Sequence, residues 1–285
     1  MKIATWNVNG VRARIEAIVA WIKASNPDIV CLQETKVIDK EFPLSQVEDL
    51  GYHAVLYGQK MFHGVAILSK LPMQNITYGL PGIQDDNQAR YIEAVISPHQ
   101  QIESTNMYNR PICIASLYAP NGNPIGSEKF LYKLSWMQHL EKHAKSKLAS
   151  GGMFVMAGDY NIIPSHRDAQ NPASWEQDAL YHKSSKAAFR RLIYLGFVDA
   201  IRAVTDSDQA FTFWNYKSDS WRKNNGIRID HILLSPSAAD NLNFVGIEDL
   251  VRSWNKPSDH VPLWADLNLA SCLVPHINHR YCLSR

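Results

Sequence analysis

Much that would mark a specialised protein is missing from this chain of 285 residues. Its four cysteines, Cys31, Cys113, Cys272 and Cys282, include no pair at C-x-x-C spacing, which argues against a zinc site. They suggest no disulfide framework either, in keeping with a reducing compartment. No apolar run approaches the roughly 18 residues of a membrane helix, and the opening MKIATWNVNG holds no signal-type hydrophobic region. Neither sign of charge dominates: 29 Lys and Arg against 27 Asp and Glu leave a net charge of +2. That excludes a supercharged tail, so a polyanionic partner would have to be met by a local cluster of basic residues. No linker, repeat or low-complexity segment divides the chain. The expectation is a soluble, cytoplasmic protein without a membrane partner.

With 46% hydrophobic and 20% charged residues, the chain can bury a sizeable core. Lys2 to Val8 reads as a first strand. Val11 to Ala24 reads as a helix, because Ile15, Ile18, Val19 and Ile22 share a face at 3.6-residue spacing, and Asn26-Pro27 ends it. Ile29 to Leu32 is a short buried strand in which Cys31 packs as a small hydrophobe. Strands are also expected at Ala54–Tyr57, Val65–Ser69, Tyr91–Ile96, Ile112–Leu117, Met153–Ala157, Phe211–Tyr216, Ile227–Leu234 and Val261–Leu267. Ser127 should cap a helix reaching about Leu148, and Ser184–Leu195 a second, stopped by Gly196. Residues 164 to 183 read as a polar loop, and QQIESTNMYN as an extended hairpin loop. Helices packed outside sheets in one domain, residues 1–267, followed by a tail over 268–285 without a clear period, is the natural organisation.

Acids and amides then recur at the ends of apolar runs. DIVCLQE ends at Glu34, MFVMAGDYN delivers Asp159 and Asn161, GIRIDHILL sets Asp230 beside Ile229 and Ile232, and KPSDHVPLW begins its run with Asp259 and His260. ATWNVNG puts Asn7 and Asn9 on one side of a strand. An acid within an apolar strand is costly unless it is paired or ligates a metal. Each has a plain alternative: Glu34 opening a helix, Asp159 in a turn after Gly158, Asp230 in a salt bridge near Arg228. Together they point to a shared site at one edge of the sheets. Oxygen donors without cysteine suit a hard cation, Mg2+ or Mn2+, and such a cation with an imidazole and a spare carboxylate suits phosphoester hydrolysis. Adjacent residues of a strand point to opposite faces, so Asp259 and His260 are expected to serve different partners. Val261, Leu263, Ala265 and Leu267 are expected to face one layer.

The blocks WNVNGVRAR, CLQETK, GQKMFHGVAILSK, LYAPNGN, GDYN, GIRIDHILLS and KPSDH, in this order over about Met1 to Leu267, resemble the successive motifs of the exonuclease III family. These are DNA-repair AP endonucleases and exodeoxyribonucleases of the endonuclease/exonuclease/phosphatase superfamily. The resemblance implies an α/β, four-layer α-β-β-α sandwich of two mixed β-sheets with helices on the outer faces. It implies a phosphodiesterase using Mg2+ or Mn2+ on duplex DNA bearing abasic sites, nicks or 3′ blocks, with exonuclease, AP endonuclease and 3′-end-cleaning activities, in a monomer of bacterial type. By the same resemblance Glu34 is the principal metal ligand with Asn7 close by, and Asp259 a possible second metal or leaving-group site. Asp159 orients or deprotonates the attacking water, Asn161 holds the substrate phosphate or that water, and Tyr118 leans on the phosphate through its hydroxyl. Asp230 fixes the ring of His260, which stabilises growing charge. Arg90 and Asn121 would contact DNA, although Asn121 stands where some relatives have Gln. Asn9 stands where some have Asp, which weakens its case as a ligand. Tyr160 should point away from its neighbours.

FTFWNYKSDSWRKNNGIR interleaves aromatics with cations. Trp221, Arg222, Lys223 and Arg228 are expected to face DNA, and Phe213, Trp214 and Ile227 resemble the family's pocket for a baseless sugar. His63, His166 and His182 read as loop or surface residues. Two other readings are open. One is an enzyme of the same superfamily acting on a lipid or inositol phosphate, against which the aromatic-basic segment argues. The other is a non-catalytic DNA-binding scaffold of the same fold.

Overall fold

A computed structural model describes residues 1–84, 86–97, 111–217 and 219–269. Among the described residues twelve strands form two six-stranded sheets. The first sheet runs β11 (Leu242–Ile247), β12 (Leu263–Leu267), β1 (Lys2–Asn7), β2 (Ile29–Gln33), β4 (Val65–Ser69), β3 (His53–Tyr57). The second runs β5 (Met73–Tyr78), β6 (Tyr91–Ile96), β7 (Ile112–Tyr118), β8 (Met153–Asp159), β10 (Asp230–Leu234), β9 (Val198–Asp199). β1 pairs parallel with β2, and β7 with β8; the other pairings are antiparallel.

Three apolar layers result from side chains alternating along each strand. Between the sheets lie Ile3, Ile29, Cys31 and Ile67 from one and Ile92, Ile114, Val155 and Ile232 from the other. The first sheet's outer face, with Ala4, Trp6, Val30 and Leu32, packs on helix α1 (Val11–Ser25) through Ile18, Trp21 and Ile22. The second sheet's outer face, with Leu117, Phe154, Met156 and Leu233, packs on helices α3 (Glu128–Ala149) and α4 (Lys183–Tyr194) through Trp136, Leu140, Phe189 and Leu192. Short helices α2 (Leu44–Glu48), α5 (Ala200–Val204) and α6 (Pro236–Ala239) connect strands. This is the expected four-layer sandwich of two mixed sheets between helices.

Local chemistry explains the boundaries. Asn26 closes α1 in the left-handed conformation. Ser127 caps α3 by accepting from the Phe130 amide. Tyr160 is buried among the α3–α4 contacts, turned away from its polar neighbours as expected.

Several expectations are corrected. Phe211–Tyr216 is not a strand; Phe213 makes only single bridges, to Ile227 and His260. The strand expected from Ile227 begins at Asp230, because Ile227 turns aside to bridge Phe213 and Ala169. Val261 does not share a face with Leu263, Ala265 and Leu267. It packs in the outer layer with α1, while those three enter the inter-sheet core. The chain redirects at Pro262, whose carbonyl accepts from the Glu248 amide. The edge strands β5 and β11 carry mostly exposed or half-exposed residues, so no apolar alternation announced them. The QQIESTNMYN stretch and nearly all of the tail lie outside the described residues. Among the described residues no helix is long and apolar enough to cross a membrane.

Candidate active site

The inter-sheet face changes character along each strand. β1 presents Ile3, Thr5, then Asn7; β2 presents Ile29, Cys31, then Gln33, with Glu34 following; β7 presents Ile114, Ser116, then Tyr118; β8 presents Val155, Ala157, then Asp159. Apolar residues thus give way to a polar layer in which Thr5 donates to Gln33 (3.1 Å) and Gln33 to Ser116 (3.1 Å). Beyond it comes the mouth of the sandwich. Parallel pairing sets Tyr118 opposite Asp159, and antiparallel pairing sets Asp230 at the start of β10 opposite Asp159 as well. At Gly158 a Cβ would fall 1.9 Å from the Leu117 carbonyl oxygen, so only glycine lets β8 approach β7 this closely beside the site.

Asn7 joins the two sheets. Its Nδ2 donates to Glu34 Oε1 (2.9 Å) and Asp159 Oδ2 (3.0 Å), while its Oδ1 accepts from the Asn9 amide (3.0 Å). Asn7 therefore offers N–H groups to the carboxylates and would ligate a metal only with its amide reversed. Asp159 Oδ1 accepts from the Asn161 amide (2.8 Å). His260 Nδ1 meets Asp230 Oδ2 at 2.8 Å, and its Nε2 lies 3.7 Å from Asp159 Oδ2. One ligand atom each from Asp159, Asp230 and His260 lies within 4.8 Å of the others. Asp230 Oδ1 is buried with no hydrogen-bond partner among the described residues. Ser258 and the residues following it deliver His260 inward, while Asp259, half-exposed, takes a hydrogen bond from Asn9 (3.1 Å) on the opposite side. The two neighbours do face different partners.

Burial opposes every charge here. It pushes Asp159 above the usual carboxylate range, more than the imidazolium of His260 offsets. Burial alone would lower His260, but the carboxylates of Asp230 and Asp159 outweigh it and hold the imidazole protonated at neutral pH. Burial, with Glu34 and Asp159 nearby, raises Tyr118 well above the ordinary phenol value, so its hydroxyl remains a donor. Glu34 is lowered despite burial, chiefly by Lys36, whose ammonium lies 2.7 Å from Oε2. Lys36 also donates to Asn9, giving a chain Glu34–Lys36–Asn9–Asp259. A carboxylate that already accepts a cation, flanked by amides and a second carboxylate with no thiolate, fits a hard divalent ion.

The expected DNA-facing residues divide. Arg222 and Lys223 are exposed, and Asn121 is exposed with its amide 3.3 Å from Asn161 Oδ1. Phe213 is half-buried against the His260 ring (centroids 4.9 Å apart), and Trp221, half-buried, meets Trp214 edge-on (4.9 Å). Trp214 and Ile227 are buried, so they support this surface from beneath rather than line it. Arg90 is largely buried over the Tyr118 ring (4.9 Å) and donates to the Tyr118 carbonyl (3.1 Å). Arg228 is the clear correction. It is 1% exposed and clamped by Asp168 (2.7 Å) and Asp199 (2.7 Å), so it cannot reach a phosphate. His63, read as a loop or surface residue, stands at the site: its ring is 5.9 Å from that of Tyr118. Burial, then Arg90, lowers it to about 4, which leaves it neutral. Lys36 and Lys133, described below, were not singled out from sequence either; CLQETK held the first in view, and the second sits unmarked within a helix.

A two-sheet sandwich whose strand ends gather carboxylates, amides and a charged imidazole defines a class of hydrolase suited to phosphoester bonds. The chain belongs to the Endonuclease/Exonuclease/phosphatase family, whose model matches residues 4–260. It is 32% identical over 274 residues to exodeoxyribonuclease III of Haemophilus influenzae, spanning 93% of this chain and 99% of that protein. Among solved structures it is similar to an AP endonuclease from Archaeoglobus fulgidus (TM-score 0.86, 32% identity, 94% of this chain and 99% of the other). A 3′ phosphatase from Neisseria bound to product DNA hairpin is similar to the same degree (TM-score 0.86, 32% identity, 94% and 99% covered).

Proposed function

We propose that the protein is a DNA-repair phosphodiesterase dependent on Mg2+ or Mn2+. Its substrates would be abasic sites, nicks and 3′ blocks in duplex DNA, and it would act as a monomer in the cytoplasm through its domain of residues 1–267. The observation that carries this reading is the convergence of Asn7, Glu34, Asp159, Asp230 and His260, from both sheets, on one mouth of the sandwich. The exposed Arg222 and Lys223 favour a polyanionic substrate over a lipid phosphate.

Each residue has a task in an in-line attack of water on phosphorus. Asp159, raised by burial and fixed by the Asn161 amide and Asn7, orients the water and accepts its proton. Asn161 and the un-ionised Tyr118 hydroxyl hold non-bridging phosphate oxygens. His260, kept charged and oriented by Asp230, donates toward the oxygen on which charge grows. Glu34, with Asp259 or a reversed Asn7, would hold the divalent ion, which neutralises charge on the phosphate and the leaving group when bound. Phe213 would meet the sugar beside His260, with Arg90 steadying Tyr118 from behind and Asn121 at the rim.

The test is Asp159→Asn on duplex DNA carrying one abasic site, and on a duplex with a 3′-phosphate. Loss of a general base predicts a fall of about a thousandfold in kcat on both. Turnover within about threefold of the parent on both would reject the assignment.

A further inference from the structure

Lys133, in the first turns of α3, is 0% exposed, yet no carboxylate among the described residues lies within ion-pair distance of it. Its Nζ donates instead to two backbone carbonyls, that of Asn161 (2.6 Å) and that of Asn121 (3.0 Å). These belong to the two segments that leave the parallel strands β7 and β8. One carries Tyr118 and Asn121, the other Asp159 and Asn161. The segments also touch through Asn161 Nδ2 to the Ala119 carbonyl (2.9 Å) and Asn121 Nδ2 to Asn161 Oδ1 (3.3 Å).

The geometry suits such a clamp. Asn161 sits in the left-handed region, at φ 50°, a conformation uncommon outside glycine that asparagine adopts more readily than most residues. Gly122 lies directly on the lysine: φ is 87°, and a Cβ there would fall 2.6 Å from Lys133 Cδ. The turn is shaped around the lysine stem. An ammonium in this place is expensive: burial above all, with Arg90 adding to it, brings Lys133 down to about 7 in spite of help from Asp159 and Asp178. An apolar side chain would pack α3 without that cost, but it would leave two carbonyls without donors and the two segments held only by the bonds from Asn161 Nδ2, Asn121 Nδ2 and the Ala119 amide, the last to the Asp159 carbonyl (2.8 Å).

We propose that Lys133 is a positioning residue for the reaction, clamping the main chain of Asn161 to that of Asn121 so that Asp159, Asn161 and Tyr118 are aimed at one phosphate. It touches neither substrate nor metal and acts through the carbonyls it binds. This rests on the reading of the site given above, and the experiment separates the two. Lys133→Met, Lys133→Arg and Asp159→Asn are compared by kcat on duplex DNA with one abasic site and by equilibrium binding to the same duplex in the presence of Ca2+. Loss of aim without loss of the DNA surface lowers kcat of Lys133→Met about tenfold or more, with binding within about threefold of the parent. Lys133→Arg, which restores charge and donors, recovers much of that loss. The proposal is overturned if Lys133→Met keeps kcat within about twofold of the parent while Asp159→Asn is inactive, or if Met and Arg are equally impaired. Should Asp159→Asn also remain active, the site reading itself fails. If Lys133→Met does not fold, Lys133→Gln, which keeps a donor, must show the same separation of kcat from binding, and its absence overturns the proposal equally.

Discussion

Two buried cations, Arg228 and His260, each stand between two carboxylates, and they are built differently. Arg228 lies between Asp168 and Asp199, with Nε and Nη1 each 2.7 Å from an oxygen; Arg202 adds a further bond to Asp168 at 2.6 Å. His260 lies between Asp230 (2.8 Å) and Asp159 (3.7 Å); among the described residues Asp199 in the first cluster and Asp230 in the second each keep one buried oxygen without a hydrogen-bond partner. The guanidinium cannot lose its proton, and it holds Asp168 far below the usual carboxylate range despite burial. The imidazole can lose its proton, and Asp159 beside it is raised rather than lowered. The guanidinium meets both of its carboxylates at 2.7 Å, whereas the imidazole stands 2.8 Å from one of its two and 3.7 Å from the other. The first therefore braces the turn that leads into β10, and the second, two residues further on at Asp230, is left with bonding capacity for a substrate.

Substitutions in the two clusters should separate activity from stability. The largest effect is expected from Asp159→Asn, which should lower kcat about a thousandfold while leaving the thermal midpoint within a few degrees, because it relieves an unfavourable buried carboxylate. Arg228→Met should do the reverse. Breaking a buried pair on one side costs about 3–5 kcal/mol, read as a lower urea midpoint, with DNA affinity of the remaining folded fraction little changed. A strong loss of DNA affinity in a fully stable Arg228→Met protein would restore that arginine to the binding surface. Asp230→Asn should fall between them and act through pH. His260 is raised in the folded state, so its pairing stabilises fully below the unfolded value of about 6.5 and is lost as pH rises through the folded value. Activity that needs the imidazolium should fall along the same alkaline limb. With the nearer carboxylate, 2.8 Å from the ring, gone, that limb should move down by about one pH unit or more. An unmoved limb in a pH–kcat profile would take His260 out of the charged role.

The same contrast sets what could be read from the sequence. Asp159 was legible because it closes an apolar strand; Asn161 lies beyond that strand at φ 50°, and what brings it to the site is its amide bond to Asp159 rather than alternation. Glu34 and Asp230 were legible because acids beside Leu32 and Ile232 need a reason to be there. Arg228 was misread because its neighbours in the chain are aromatic and basic, whereas its partners, Asp168 and Asp199, stand 60 and 29 residues away and carry no local signature. Val261 was misread because strict alternation was carried through Pro262. Lys133 was invisible for a related reason. Its acceptors are main-chain carbonyls, which every residue has, so nothing in the side-chain pattern points from α3 to Asn161.

The smallest expected effect tests the boundary between brace and binding surface within one segment. Arg222 is 82% exposed, and its contact with Asp219, at 3.9 Å between groups that are both open to water, contributes little. Its guanidinium is available to a phosphate in a way that the 1% exposed Arg228 is not. Arg222→Ala should therefore leave the urea midpoint unchanged. It should weaken duplex binding several-fold at low salt and reduce the slope of log affinity against log salt by about one, as expected for one phosphate contact. Its kcat at saturating DNA should match the parent, because the residue holds DNA without touching the reacting phosphorus. If binding and its salt slope are unaltered in a titration between low and moderate salt, the DNA path does not cross this arm, and cations nearer the mouth, the half-buried Lys36 among them, would have to carry the backbone instead.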